Sequence, residues 1–441
     1  MPNEKLEQEK QNLNRRTFIG AVVGIGAGAV LASCQKAFVD RAPDGPLLKA
    51  GLIGCGERGT GAAQQFLKAG SHLQITALGD VLPDRLALSR QILAKKSKQE
   101  IKDDHCFVGF DAYKKVLETD VDVVLLATPP HFRPVHFDAA IDAKKHCFIE
   151  KPVAVDAPGV RSILASGQKA AAYNLCVVAG TQRRHHRTYK ATYERVSQGA
   201  IGQIVGARAR WNQGQVWYAP RKKKWSDMEA MLRDWCNWRW LAGDHIVEQH
   251  VHNLDTALWF TGMNPTKAVG SGGRVQRVTG DQYDFFNVQF SYPNGGILES
   301  MCRQIDGCDT DISEYVVGSK GYTNCENTIF DFDGKIVWRY EERGQEPGRT
   351  KSTGYDLEHV DFVTAIRNNE PINEAEHVAQ STLTAIMGRT AAYTGKVVTW
   401  DDMMDSNERL GPTDYAMGPV PMKVEIPVPG TAANVASHAR T

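Results

Sequence analysis

The chain has 441 residues, 42% of them hydrophobic and 23% charged, enough apolar material for two domains with cores of their own. Fifty-two basic side chains against 51 acidic ones leave a formal net charge of +1 with no long basic run, which excludes nucleic acid or an anionic surface as an obvious partner. Eight cysteines follow Cys34 without a CxxC pair, mostly inside predicted strands, and read as small buried hydrophobes rather than a disulfide framework.

The first element is Asn14-Arg15-Arg16-Thr17-Phe18-Ile19-Gly20, followed by a Gly/Ala-rich apolar run to Ala32. That run is too short and too glycine-rich to span a membrane. A basic stretch, a short apolar stretch and small residues at a break make residues 1–34 an export signal. The paired arginines resemble the twin-arginine signal, which exports proteins already folded. Leu31-Ala32-Ser33-Cys34 resembles a lipoprotein cleavage box, which implies a periplasmic protein tied to the membrane only by lipid on Cys34. Residues 35–47 then read as a tether.

Next comes Gly54-Cys55-Gly56-Glu57-Arg58-Gly59, between a strand ending in Leu52-Ile53 and a helix starting near Thr60, with Asp80 21 residues beyond its last glycine. Strand, glycine spacing, helix and spaced acid together form a dinucleotide-binding fingerprint. Gly54 would allow the tight turn, Gly56 the approach of a pyrophosphate, and Gly59 the packing of helix on strand. The helix N-terminus would face the phosphates. A carboxylate at Asp80 accepts hydrogen bonds from ribose hydroxyls and repels a 2′-phosphate, so NAD is expected over NADP, with Arg85 near enough to moderate that repulsion.

Strand and helix alternate through residues 48–172, expected to form a Rossmann domain on a doubly wound parallel sheet. Val121 to Ala127 is an apolar run suited to a strand covered on both faces, and Thr128-Pro129-Pro130-His131 follows at the edge where cofactors bind. Another strand ends in Glu150-Lys151-Pro152 and a further one in Gln182-Arg183-Arg184, so Thr128, Pro129, His131, Glu150, Lys151, Gln182 and Arg183 join the cofactor candidates. Residues 173–400 carry β-like segments joined by short turns, which predicts an α+β domain with an open, largely antiparallel sheet. A Pro-rich tail fills residues 401–441 and is expected to wrap the surface or a neighbouring subunit.

A helix expected over about 245–260 places Glu248 and His252 four residues apart on one face, with Asp255 nearby. Histidine suits removal of a hydroxyl proton near neutral pH, and a carboxylate beside it can orient the ring. Read as a metal site, the same cluster lacks a completing Cys or His group elsewhere, and no metal is expected. Six of the nine tryptophans (Trp211, Trp217, Trp225, Trp235, Trp238, Trp240) fall in thirty residues just before this helix, where indoles could stack on the C–H faces of a sugar.

The glycine loop, Glu150-Lys151-Pro152 and the helix with Glu248 and His252 together resemble the glucose–fructose oxidoreductase / inositol dehydrogenase / MocA family. The resemblance spans the chain from the tether to about Trp400. It implies a Rossmann domain, an open-sheet substrate domain that often mediates homo-oligomers, and NAD(P)-dependent oxidation or reduction of a sugar or cyclitol carbon. On that basis Lys151, His252 and Glu248 are the catalytic candidates, and Lys151, Arg184, Trp238, His250, His252 and Asp255 are candidates to hold substrate. Glu at 248 where the family commonly has Asp, and Gln249-His250 where small residues are frequent, depart from the pattern. Two alternatives share these residues. One is a redox-neutral glycosidase resembling the NAD-dependent family 109 hydrolases; the other is a non-catalytic cofactor- or carbohydrate-binding paralogue.

Overall fold

The computed structural model describes residues 39–341, 352–422 and 424–431. The export signal with Cys34, and the tether before residue 39, lie outside the described residues.

Six strands form the first sheet: β1 (Leu48–Ile53), β2 (Leu73–Asp80), β3 (Cys106–Val108), β4 (Val123–Leu126), β5 (His146–Ile149) and β6 (Val177–Ala179). All pair in parallel, in the order β3-β2-β1-β4-β5-β6. Every residue of β4 is buried, as parallel strands covered by helices on both faces must be. The order reverses between β1 and β4, and that switch point puts a crevice at the carboxyl ends of the strands. β6 lies past the boundary expected at residue 172, because the helix Ala157–Ala172 is a crossover into the sheet rather than its exit.

The second sheet has nine strands: β7 (Ile204–Gln213), β8 (Lys267–Gly273), β9 (Phe285–Ser291), β10 (Ile297–Gln304), β11 (Asp311–Gly318), β12 (Tyr322–Thr323), β13 (Thr328–Phe330), β14 (Ile336–Arg339) and β15 (Val398–Thr399). They run β14-β13-β12-β11-β7-β10-β9-β8-β15, antiparallel except where β7 and β10 pair in parallel. Alternation sets the faces: Leu298, Ser300, Cys302 and Gln304 of β10 point inward, while Ile297 and Glu299 are exposed.

Helix Ala375–Thr394 packs on β8 and on Ala157–Ala172, and so ties the two sheets together. Helix Gly354–Asn368 covers the first sheet, its Val360, Phe362 and Val363 sharing a core with Leu52, Phe66 and Phe148. Residues 173–400 therefore do not form a separate layer, since an apolar helical stripe read from sequence does not declare which sheet it will cover. None of the eight described cysteines is paired, and six are buried. No helix among the described residues is long and apolar enough to cross a membrane.

Candidate active site

The three glycines occupy three different environments. Gly54 has φ +99°, and a Cβ there would lie 2.6 Å from the backbone of Ala127 and Thr128. A Cβ on Gly59 would lie 1.8 Å from the carbonyl oxygen of Gly54, so helix and strand touch only because it is absent. A Cβ on Gly56 would meet nothing within 4 Å. Gly56 caps helix Glu57–Lys68 without a side-chain cap, which leaves the first-turn N–H groups facing open space.

That space is a cleft of about 980 Å³ whose walls include all six loop residues, Asp80, Arg85, Thr128 and Pro129. Asp80 is fixed by its own turn: Oδ2 accepts the Cys55 N–H at 2.6 Å and Oδ1 the Leu82 N–H at 2.7 Å. Burial raises its pKa, and these two donors oppose the rise. Another part of the wall comes from the chain beyond the parallel sheet, through Trp217, Leu232 and Trp235. The tryptophan density is legible in the sequence; its use at the dinucleotide cleft is not.

His131 lies elsewhere. Its ring packs edge-on to Phe132 and Trp240, its Nε2 shares a 2.6 Å hydrogen bond with the Tyr415 hydroxyl, and burial lowers its pKa to about 4. It ties the tail to the domain and is not part of the cleft lining, whereas its neighbours Phe132 and His136 are.

Glu150 is likewise internal. Its carboxylate pairs with Arg58, which also reaches Glu358 at 3.3 Å and Gln65 at 2.9 Å and lies over the Tyr355 ring. The cations Arg58, Arg133 and Lys151 oppose the effect of burial and hold Glu150 below its ordinary pKa. Gly180 is required beside it, because a Cβ there would lie 2.6 Å from Glu150 Oε2. Neither Glu358 nor Arg133 has a local sequence signal; they meet Glu150 only through the fold.

Lys151 follows β5 at the carboxyl edge of the parallel sheet. Its Nζ donates to the Glu248 carbonyl at 2.6 Å and lies 3.2 Å from Glu248 Oε1, with both side chains largely shielded from solvent. Glu248 is therefore the lysine's partner and not the orienting group of His252. The expected single helix is broken: His245–Glu248 ends there, and Val251–Thr261 starts after Gln249-His250. His252 stacks on Trp211 at 5.8 Å, and no hydrogen bond to its ring nitrogens is formed among the described residues. Burial first, then the charges of Lys151, Arg183 and Arg58, hold its pKa well below the ordinary histidine value. The imidazole is a neutral, unengaged base.

Several substrate candidates are committed to one another. Arg184 forks onto Asp255 at 2.8 and 3.0 Å, and Ser381 closes on the same carboxylate at 2.6 Å. His250 is fully buried and bonds Ser300 of β10 at 2.8 Å. Arg183 pairs with Glu314 and lies 5.7 Å from the Trp211 ring, and it is not among the residues that line the cleft. Gln182 bonds the Tyr355 hydroxyl at 3.1 Å. Trp238 lines a separate 530 Å³ cavity bounded by Tyr218 and Met422. A buried guanidinium or carboxylate without a partner would be too costly, which is why residues expected to face ligand pair instead.

A fingerprint loop opening on a large cleft at the carboxyl edge of a parallel sheet, the edge from which Lys151 also emerges, defines a dinucleotide-dependent oxidoreductase. Residues 48–180 match the model for the oxidoreductase family with the NAD-binding Rossmann fold, and residues 189–323 match the GFO/IDH/MocA C-terminal domain. Together they cover more than half of the chain, and the protein belongs to the GFO/IDH/MocA oxidoreductases, with NAD as cofactor. It is 29% identical over 287 residues to myo-inositol 2-dehydrogenase of Thermotoga maritima, covering 64% of this chain and 75% of that protein. It is 31% identical over 159 residues to glycosyl hydrolase family 109 protein 2 of Shewanella sp. (strain ANA-3), covering 32% and 34% of the two. Scyllo-inositol dehydrogenase from Lactobacillus casei, solved with NAD(H) and scyllo-inositol, superposes with a TM-score of 0.59 at 21% identity over 80% of this chain and 99% of that one.

The residues present fit NAD. The cradle at Gly56 is open where a Cβ would intrude, the uncapped helix start would hold the pyrophosphate, and Asp80 with Arg85 would hold the adenosine ribose.

Proposed function

We propose that the protein is an exported NAD-dependent oxidoreductase acting on a ring carbon of a sugar, cyclitol or glycoside. The observation that carries this reading is the Lys151–Glu248 clamp beside the neutral His252. When bound, NAD supplies the hydride acceptor or donor. Lys151, held in place by Glu248, polarises the reacting oxygen through its remaining N–H. His252 takes the hydroxyl proton on oxidation and returns it on reduction. Trp211 packs against the imidazole and gives the site an apolar face suited to sugar C–H groups.

Export by the twin-arginine route, with lipid on Cys34, belongs to the same reading and rests on the Arg15-Arg16 signal and the Leu31 to Cys34 box. Export would carry the protein away from any free NAD pool. The cofactor would then be loaded before export and retained, and a net reaction that returns it to its starting state would suit such an enzyme. The identity to a family 109 protein favours one such reaction as a second reading, in which the ring carbon is oxidised, the aglycone eliminated, water added and the ring reduced again. A homo-oligomer assembled through the open sheet is also part of the proposal.

The test is protein purified without added nucleotide, examined by absorbance and mass spectrometry, then offered sugars, sugar pairs and glycosides. Co-purified NAD with turnover in the absence of added NAD supports the reading, and glycoside cleavage under those conditions selects the hydrolase. Protein that neither carries NAD nor reduces it with any sugar refutes it.

A further inference from the structure

The part of the cleft wall formed around Trp217, Leu232 and Trp235 is a closed strap. Its two ends are tied at Asp234, which accepts the Ala219 N–H at 2.8 Å, the Asn237 side-chain amide at 2.9 Å and the Thr279 hydroxyl at 2.7 Å. Asn237 also donates to the Trp217 carbonyl at 3.3 Å, and the rings of Trp217 and Trp235 meet edge to face at 6.4 Å. Both indoles and Leu232 then line the cleft.

The strap meets the other wall through an apolar cluster in which Leu232 and Trp235 join Val81, Phe110 and Phe132, and through one forked ion pair. Arg233 ends the helix Asp227–Arg233, and its two terminal nitrogens donate at 2.8 Å each to the two oxygens of Asp84. Its Nε donates to Glu229 at 2.9 Å and its guanidinium lies 5.0 Å over Trp225, so the fork is set before it reaches Asp84. Asp84 sits in the first turn of helix Pro83–Ser97, between Leu82 and Arg85 of the cleft wall. The forked pair thus joins one wall of the dinucleotide cleft to the other beside Asp80. Nothing in the hydride chemistry requires such a joint.

We infer that the strap is a cofactor-retaining element, with Trp217, Leu232 and Trp235 binding the dinucleotide and Asp84–Arg233 acting as the latch that must open for NAD to leave. This rests on the reading of the cleft as the NAD site. Differences in affinity between variants of one site fall mainly in the off-rate, so the latch is read there.

The experiment loads the full chain with NADH, chases it with excess NAD, and follows loss of NADH emission excited through the strap tryptophans. Asp84→Ala and Arg233→Met should each speed release by roughly three- to tenfold, the scale of a well-formed but partly exposed forked pair. The double variant should go no further than either single one. Salt should speed release from the wild type and not from Asp84→Ala. Trp217→Ala with Trp235→Ala should speed release more than tenfold, followed by direct NADH emission. Wild-type release rates in the latch and tryptophan variants overturn the inference while leaving NAD binding intact. A wild-type chain that binds no NADH overturns the cleft reading itself.

Discussion

Replacing Gly56 with alanine separates cofactor binding from folding. The new Cβ would meet no protein atom within 4 Å, and the backbone at φ −67°, ψ −176° is open to any residue. The folded state therefore gains no strain, and restriction of the unfolded chain contributes about 0.4–1 kcal/mol of stability. The methyl stands instead at the mouth of helix Glu57–Lys68, where the pyrophosphate must reach the free N–H groups. Losing one charge-assisted hydrogen bond there costs about 1.5–3 kcal/mol, so the Kd for NADH should rise roughly ten- to 150-fold. The two flanking glycines serve as contrasts. Gly59→Ala drives a Cβ to 1.8 Å from the Gly54 carbonyl, and Gly54→Ala adds a clash at 2.6 Å to a φ of +99°. Both should lose about 2–5 kcal/mol of stability by overpacking and backbone strain. Fluorescence titration with NADH, paired with thermal unfolding in its presence and absence, reads both quantities. If Gly56→Ala binds NADH with wild-type affinity, the phosphates do not sit where the open cradle places them.

His252→Asn should lower turnover by roughly two orders of magnitude or more while leaving NADH affinity and Tm near wild type, and Lys151→Met should lower it as far but also lower Tm, because it leaves the shielded Glu248 carboxylate unpaired; normal steady-state turnover in either removes it from the mechanism. Arg183→Met combined with Glu314→Gln removes a cation near His252 without stranding a buried charge, leaving Lys151 and Arg58 as the remaining positive neighbours. Because cations lower an imidazole pKa, the acid limb of kcat/KM should move to higher pH, and an unmoved or lower limb would contradict the placement. His185 lies between Asp361 at 2.8 Å and Glu374 at 3.4 Å, and these partners overcome burial to raise its pKa to about 10. A raised pKa gives stability that is complete below the unfolded value near 6.5 and fades as pH climbs through 10, so His185→Gln should cost on the order of 3 kcal/mol at pH 6 and much less above pH 10 in denaturant melts.

The local parts of this fold are legible because their causes are local. Leu52 and Ile53, three glycines and a spaced Asp80 declare strand, turn and helix within one stretch of chain. The alternation along Leu298, Ser300 and Cys302 declares the inner face of a sheet strand without reference to its neighbours. What is illegible depends on residues that meet only after folding. Gln249-His250 breaks the expected helix because His250 turns into the core to reach Ser300, fifty residues away. That break redirects Glu248 from His252 to Lys151, ninety-seven residues back. The tryptophan run is conspicuous in the sequence, yet Trp211 ends on His252, Trp217 and Trp235 on the cofactor cleft and Trp240 in the core, because each follows a different element.

The same distinction selects the reactive groups. Arg58, Arg183 and Arg184 are the residue types that hold anionic or hydroxylated ligands, and the sequence offers them as such. In the folded chain each carries a buried carboxylate, because a guanidinium withdrawn from water must find one. Arg184 turns one edge of its guanidinium, Nε and Nη2, onto Asp255. Lys151 is held on two bonds from an ammonium that has three donors, and His252 has neither nitrogen engaged among the described residues. In the proposed mechanism these two act on substrate through the hydrogen-bonding capacity left over after folding. That capacity is fixed by partners such as Glu248 and Trp211, which approach from outside the lysine motif.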